Sequence, residues 1–344
     1  MKNANILKEF EKLLKQKEWE FNQLSNRQDK IKKAYSINNT KNALSIIKKF
    51  PKIIKGQKEL NELNSIKGIG KKTIDRINEI INKGKLSEIK NYTQSNIYYN
   101  AMTDLEEVIG IGKVKAHSLI TKHNITSVDQ LITLHKNGKI KLNDKILLGL
   151  KYHNVYKQHI PRTKIIKIDS FLNKTFSQID TELFGVICGS YRREKLYSGD
   201  IDVLITHPKI KTMNQLLKHK KNYLREIVKH LKKSNFLVDD MTDKNITTKY
   251  MGFCKYKNNP VWRIDFRYIP SESYYTALLY FTGSGRFNMR IRELAISLGY
   301  KLSEYGLYEI DDDKNIIQQI KINSEKEIFD YLGLEYIKPS HRTE

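Results

Sequence analysis

The spacing of apolar residues changes once along this chain, near residue 183, and that change limits the fold more than any single motif. Before it, the spacing is helical. Ile6, Phe10, Leu13 and Leu14 share one face, as do Ala43, Ile46, Ile47 and Phe50, and Pro51 ends the second of these helices. Helices are expected from about residue 4 to residue 90, and no strand pattern appears until near Gly185. After that point residues 183–188, 201–205 and 261–267 read as strands. A helix is expected over 213–233 and another over 290–298, with short strands at 301–308 and 315–322. The chain has 344 residues, enough for two or three compact units. The expected fold class is therefore multidomain α+β, helical first and built on a β-sheet later.

The helical part contains an internal repeat. Ser65-Ile66-Lys67-Gly68-Ile69-Gly70-Lys71-Lys72 is matched by Val108-Ile109-Gly110-Ile111-Gly112-Lys113-Val114-Lys115. In each copy Gly-Ile-Gly allows a tight turn, and lysines open the next helix, whose free amides suit a phosphate. This is the helix-hairpin-helix pattern, which grips a DNA backbone without reading bases. One such turn would be an ordinary connector; two in a basic chain are unlike a coincidence. Lysine and arginine outnumber aspartate and glutamate by 62 to 38, for a net charge of +24. Such an excess suits a polyanionic partner, although an AT-rich genome would raise the lysine content by itself.

The absence of an apolar run of 18 residues argues against a membrane span, and residues 1–10 lack the features of a signal peptide. Two cysteines, Cys188 and Cys254, sit in apolar, strand-like contexts, so a reduced, intracellular compartment is expected. Nucleus, cytoplasm and viral factory all remain open.

The chemistry concentrates in Gly189-Ser190, Arg192-Arg193 and Ser198-Gly199-Asp200-Ile201-Asp202. On a strand, Asp200 and Asp202 share one face while Ile201 and Val203 face the core. Carboxylates so close repel unless a cation lies between them. Magnesium suits them, because it takes oxygen ligands and shares them with phosphates. Asp265 supplies a third carboxylate, on a strand that turns Arg263 and Arg267 the same way. Alone it would be read as part of a surface ion-pair ladder; with the upstream motif it reads as a metal ligand. The expected reaction is two-metal nucleotidyl transfer from a triphosphate to a 3′-hydroxyl.

Several of these segments together resemble the family-X DNA polymerases, of the polymerase beta type most closely. They are residues 188–193, 198–204, 263–267, 279–284 and 324–331, and the resemblance runs from about residue 10 to the C-terminus. It implies a helix-hairpin-helix domain over 1–92, a second, thumb-like hairpin subdomain over 93–161, a nucleotidyltransferase palm over 162–270 and a C-terminal α+β subdomain over 271–344. It implies Asp200, Asp202 and Asp265 as ligands of two magnesium ions, with manganese as a substitute, and Arg263 as the residue steadying Asp265. Ser190, Arg193, Ser198 and Gly199 would meet the triphosphate. Tyr280, Phe281 and Gly283 would pack on the incoming sugar, though Tyr280 and Phe281 also suit a core. Asn288 and Arg292 would touch the minor-groove edge of the new base pair. Backbone carbonyls of Asn64, Ile66 and Ile69, and of Glu106, Val108 and Ile111, would hold Na⁺ or K⁺.

The implied activity is gap-filling DNA synthesis in base excision repair, on gapped or nicked duplex DNA with deoxynucleoside triphosphates. The expected state is a monomer that hands substrates to and from other repair enzymes. Two other readings stand beside it: a nucleotidyltransferase acting on RNA tails or small molecules, and a DNA-binding scaffold without catalysis. The family's 5′-deoxyribose-phosphate lyase step is left open. Arg76 stands at the position of its lysine nucleophile and cannot be deprotonated. Lys72, one turn away, is the candidate substitute, while Ser36 and Thr40 replace a lysine and a tyrosine of the family's pocket. Gly285 stands in place of an aspartate near the base, and His159 in place of a triphosphate-binding arginine.

Overall fold

The computed structural model describes residues 2–155, 158–242 and 245–342, and divides into two compact units, Met1–His153 and Asn154–Glu344. The first unit is helical throughout: α1 (Ala4–Gln23), α2 (Arg27–Lys49), α3 (Gln57–Asn64), α4 (Lys71–Lys83), α5 (Tyr92–Glu106), α6 (Lys113–His123), α7 (Val128–Lys136) and α8 (Asp144–Lys151). Two apolar clusters hold it. Phe10, Leu13, Ala43, Ile47, Leu63 and Ile77 belong to the first, and Leu105, Val108, Ala116, Leu119 and Leu131 to the second. The first cluster includes Ile6, Phe10 and Leu13 and Ala43, Ile47 and Phe50 of the two faces that the spacing predicts, with Ile46 at its edge and Leu14 outside it. The Asn26 side chain starts α2 by accepting a bond from the Gln28 amide at 2.7 Å.

The two Gly-Ile-Gly turns have the same backbone. Gly68 and Gly110 take φ of +102° and +89°, a region that side chains avoid. Gly70 and Gly112 are the residues immediately before α4 and α6. The Ile69 amide donates to the Ile66 carbonyl at 3.1 Å, and Ile111 donates to Val108 at 3.0 Å.

The second unit begins with β1 (Ile160–Pro161), α9 (Arg162–Ile179), β2 (Phe184–Ile187), α10 (Gly189–Arg192), β3 (Tyr197–Ser198) and β4 (Ile201–Thr206). Then follow α11 (Met213–Lys218), α12 (Tyr223–Lys233), β5 (Leu237–Asp240), β6 (Lys249–Lys255) and β7 (Val261–Tyr268). A five-stranded sheet runs in the order β2-β4-β7-β6-β5, with β4 and β7 parallel and the other neighbours antiparallel. Helices α9 and α12 cover one face through Ile168, Leu172, Leu224 and Ile227, packed with Ile201, Val203 and Ile264. Helix α13 (Tyr274–Thr282) lies on the other face, where Ala277 and Leu278 meet Cys188 and Leu204. Both cysteines are buried and free, and burial pushes the Cys188 thiol up to about 12. The chain ends in α14 (Gly285–Ser297), a meander of β8 (Tyr300–Ser303), β9 (Gly306–Ile310) and β10 (Ile316–Ile320), and α15 (Glu325–Tyr331). Among the described residues, no helix is long and apolar enough to cross a membrane.

Two helices differ from expectation. Residues 213–233 form two helices, not one, because the chain turns extended at His219 and restarts at Asn222. The Asn222 side chain accepts from the Arg225 amide at 2.9 Å and donates to the Ile246 and Thr247 carbonyls. Leu216 and Leu217 before the break and Tyr223 and Leu224 after it keep the apolar period going in the sequence, so the break does not show there. The terminal helix expected at 290–298 starts earlier, at Gly285, behind Ser284, whose side chain accepts from the Phe287 amide.

Candidate active site

Two neighbouring strands bring the site together. In the parallel register of β4 and β7, Asp202 lies directly opposite Asp265, and Ile201 opposite Ile264. Side chains alternate along both strands, so the isoleucines enter the core and the aspartates share the other face. Asp200, just ahead of β4, lies beside them. Its oxygen Oδ2 is 3.2 Å from Arg263 Nη2, and the same nitrogen is 2.9 Å from Asp265 Oδ2. The guanidinium thus stands between two of the three carboxylates.

Charge crowding is visible in the proton equilibria. Burial, then the charges of Asp200 and Asp265, push Asp202 up to about 7. Asp265 is also raised, chiefly by burial, although Arg263 pulls the other way. Its Oδ1 is buried without a hydrogen-bond partner, as is the Ser198 hydroxyl beside the strand. Three carboxylates, one an orphaned oxygen, fit a hard divalent cation better than they fit one another. Asp200, Asp202 and Asp265 are the residues that would hold it.

Among the described residues, the groups of three His or acid side chains whose ligand atoms all lie within 4.8 Å of one another are Asp104, Glu107 and His153 in the first unit and Asp180, Glu182 and His207 in the second; the aspartate trio, with Arg263 between Asp200 and Asp265, is spread wider. In the second group His207 Nδ1 accepts from the Lys209 amide at 3.2 Å, while Nε2 is buried without a hydrogen-bond partner, 3.5 Å from Asp180 Oδ2. Tyr223 stacks on the ring and donates to Asp180 at 2.6 Å.

Helix α10 presses against Asp202. Gly189 has φ of +56°, and a Cβ there would lie 3.0 Å from Asp202 Oδ2, so only glycine allows the approach. Ser190 follows it, half-buried. Arg193 does not point into open space: its Nη1 donates to the Thr282 carbonyl at 2.5 Å. Gly283 allows this, since a Cβ there would meet Arg193 Nη1 at 3.2 Å. Ser198 is buried and Gly199 exposed, both at the mouth of β4.

A second group gathers on α13 and α14. Asn288 donates to the Tyr280 carbonyl at 2.7 Å, and Arg292 lies 5.7 Å from the Tyr280 ring while donating to the Leu302 carbonyl at 3.0 Å. Tyr280 and Phe281 meet edge to face at 5.1 Å, and Arg267 reaches the Phe281 ring at 5.8 Å. Both rings are half-buried, so packing and surface presentation coexist there. Gly285 has nothing within 4 Å of where a Cβ would stand. His159 lies 6.4 Å from the Tyr197 ring.

Sequence reasoning missed the link between these two groups. Arg192 donates to Thr282 Oγ1 at 2.7 Å and grips Glu325 through two bonds of 3.0 and 2.8 Å. Glu325 accepts a third from Arg342 at 2.7 Å and a fourth from Tyr336 at 3.2 Å. Arg342 is fully buried beneath the Phe287, Phe329 and Tyr336 rings. No local signal marked Glu325, since it opens a helix that also carries Lys326, Glu327 and Asp330. In the first unit, Lys72 is exposed on α4, and Arg76 pairs with Glu88.

A strand carrying Asp-x-Asp, a parallel neighbour carrying the third aspartate and a Gly-Ser helix against them make up the palm of a nucleotidyltransferase. The chain matches the family model of the DNA polymerase beta palm over residues 159–271 and that of the DNA polymerase beta thumb over 277–343. It belongs to family X of the DNA polymerases. The name thumb therefore attaches to the C-terminal subdomain, whereas the sequence expectation gave it to the second hairpin. Among its relatives is DNA polymerase lambda of Arabidopsis thaliana, 32% identical over 316 residues, or 87% of this chain and 56% of that one. DNA polymerase lambda of Rattus norvegicus is 26% identical over 91% of this chain and 54% of its own length. DNA nucleotidylexotransferase of Gallus gallus is 25% identical over 87% and 62%. The chain spans little more than half the length of the lambda relatives it matches.

Proposed function

We propose that this protein is a DNA-directed DNA polymerase that fills short gaps in duplex DNA during base excision repair. The observation that carries the reading is the register of β4 and β7, which sets Asp202 beside Asp265 with Gly189 closed against them. Divalent cations at these carboxylates would activate the primer hydroxyl and neutralise the leaving pyrophosphate. Asp200, Asp202 and Asp265 orient and charge the site. Arg263 holds Asp265 in place, and Asp200, now paired with Arg263, would be shared with a bound cation. Ser190, Ser198 and Gly199 line the side from which a triphosphate would enter, and Arg193 joins them on leaving the Thr282 carbonyl. Tyr280, Phe281 and Gly283 would meet the sugar, and Asn288 and Arg292 the edge of the new pair. The paired hairpins would grip phosphates of gapped or nicked DNA, with Na⁺ or K⁺ on the carbonyls of Asn64, Ile66, Ile69, Glu106, Val108 and Ile111. The protein acts as a monomer, in an intracellular compartment, among other repair enzymes. It also removes a 5′-deoxyribose phosphate from the downstream strand.

The test is primer extension on a one-nucleotide gap with magnesium and deoxy- or ribonucleotides. Wild type extends with deoxynucleotides, and Asp265→Ala does not. Absence of wild-type extension refutes the reading. The relative named a nucleotidylexotransferase supports a second one, addition without template, which would show as extension of a single-stranded primer.

A further inference from the structure

One lysine in the first unit is built unlike the others. Lys17, on α1, is 6% exposed, and its Nζ donates to Thr40 Oγ1 on α2 at 2.9 Å. The Thr40 hydroxyl in turn donates to the Ser36 carbonyl at 2.9 Å, so the threonine is fixed as an acceptor. Among the described residues no carboxylate lies within ion-pair distance of Lys17, although most buried lysines have one. Burial, then the Arg76 charge, bring its pKa down to about 8, with Glu88 and Glu20 pulling the other way and Lys33 adding to the fall. A lysine in that state holds an appreciable share of free amine near neutral pH, which is the form that attacks a carbonyl.

The groups around it bear charge, not hydrocarbon. Arg76 is bound to Glu88 and Lys33 to Glu20, and these four side chains are 20, 40, 26 and 29% exposed. An arriving phosphate competes with both glutamates for the two cations, and a planar guanidinium such as Arg76 binds phosphate in two-pronged fashion. Lys17 thus lies within the electrostatic reach of two exchangeable ion bridges. Lys72 has no such surroundings: it is exposed on α4.

We propose that Lys17 is the imine-forming amine of the first unit, placed to capture a phosphorylated sugar aldehyde such as the 5′-deoxyribose phosphate at a strand end. This rests on the gap-repair reading and moves the nucleophile from Lys72 to α1. The Nζ lone pair forms a bond to the aldehyde carbon as the carbonyl electrons pass to oxygen. That oxygen leaves as water, with one proton taken from solvent, and an iminium remains. A proton then passes from C2 of the sugar to water, and the C3–O bond breaks with its electron pair on the departing strand's phosphate. Water adds to the imine carbon and restores the amine. Arg76 and Lys33 hold the sugar's phosphate throughout.

The test uses the full chain and a gapped duplex bearing a 5′-deoxyribose phosphate, with borohydride to reduce the imine, followed by proteolysis and mass mapping of the modified lysine. The same duplex carries a labelled primer, so that extension is read in parallel. The expected adduct is on Lys17. In Lys17→Arg, which keeps the charge but cannot form an imine, trapping falls to background while the melting curve stays that of wild type. An adduct on Lys72 or another lysine, with none on Lys17, overturns the proposal and leaves the lyase reading standing. Extension with no adduct on any lysine overturns it together with the lyase step, and leaves the polymerase reading intact. An adduct on Lys17 without extension upholds it and removes the polymerase reading. Mapping in wild type decides the matter even if Lys17→Arg does not fold.

Discussion

Replacing Glu325 by glutamine should destabilise the second unit while leaving nearly every atom in place. Glu325 is the one acceptor shared by Arg192 and Arg342, and its side chain is 7% exposed. The substitution leaves one buried guanidinium, Arg342, and one half-buried, Arg192, facing a neutral amide, one of whose ends donates. Removing one partner from a buried ion network costs about 3–5 kcal/mol, and the retained carbonyl places this case near about 3. For a unit spanning Asn154–Glu344, that is a fall of roughly 6–12 °C in melting temperature. The two tryptophans allow the unit to be watched alone. Trp19 lies in the first unit and Trp262 in the second, so a Trp19→Phe background makes fluorescence report the second.

The effect has a definite pH dependence. Burial pushes Glu325 up, but the bonds from Arg192 and Arg342 more than offset it, and its pKa lies below the ordinary glutamate value. A depressed carboxyl contributes stability that is full above the unfolded pKa and is lost as pH falls through the folded one. The gap between wild type and Glu325→Gln should therefore narrow on acidification below about pH 4, the ordinary glutamate range. Changing Arg192, Glu325 and Arg342 together to Met, Leu and Met should cost less than Glu325→Gln alone, because no charge is stranded. A midpoint shift for Glu325→Gln below about 1 kcal/mol, or a gap that widens in acid, would refute the assignment of this network as the clamp between α10 and the C-terminal subdomain.

Other outcomes follow from the same contacts. Gly189→Ala forces a side chain into a left-handed backbone 3.0 Å from Asp202. It should cost about 1–2 kcal/mol in melting studies and reduce primer extension further than that loss of stability explains. Chelation with EDTA should stop extension while circular dichroism and melting stay unchanged, since the carboxylates and Arg263 already form a closed group. Because Lys17 is depressed to about 8 from 10.5, the unfolded chain binds more protons than the folded one between those values. The stability of the first unit should then rise with pH across that window, and Lys17→Met should flatten the rise in urea titrations read from Trp19.

What could be read from the sequence was whatever local spacing encodes. The strand alternation placed Asp200 and Asp202 on one face before any partner strand was known, and the Gly-Ile-Gly repeat gave two turns of matching backbone. Asp265 could be read as a ligand only beside the upstream Asp-x-Asp, because it stands 63 positions beyond Asp202 and the sheet makes them neighbours. The break at His219 was hidden because Leu216 and Leu217 before it and Tyr223 and Leu224 after it keep the helical period. Lys17 was hidden for the opposite reason: one lysine among many on a basic helix gives no sign of burial until α2 supplies Thr40 and α4 supplies Arg76. Arg193 was read as free for a triphosphate, but the structure ties it to the Thr282 carbonyl, a bond between segments that no local pattern announces.

The pairing of β4 with β7 has a consequence for how such a protein fails. Sliding β7 by one residue would bring Phe266 or Ile264 to the face where Asp265 now stands and would drive a carboxylate into the hydrocarbon side of the sheet. A misaligned chain is thus penalised at its core and disarmed at its surface by one and the same error. The population that passes as folded is the population that is chemically competent. An enzyme that cuts no corner between the two has little opportunity to become a stable protein that binds its substrate wrongly.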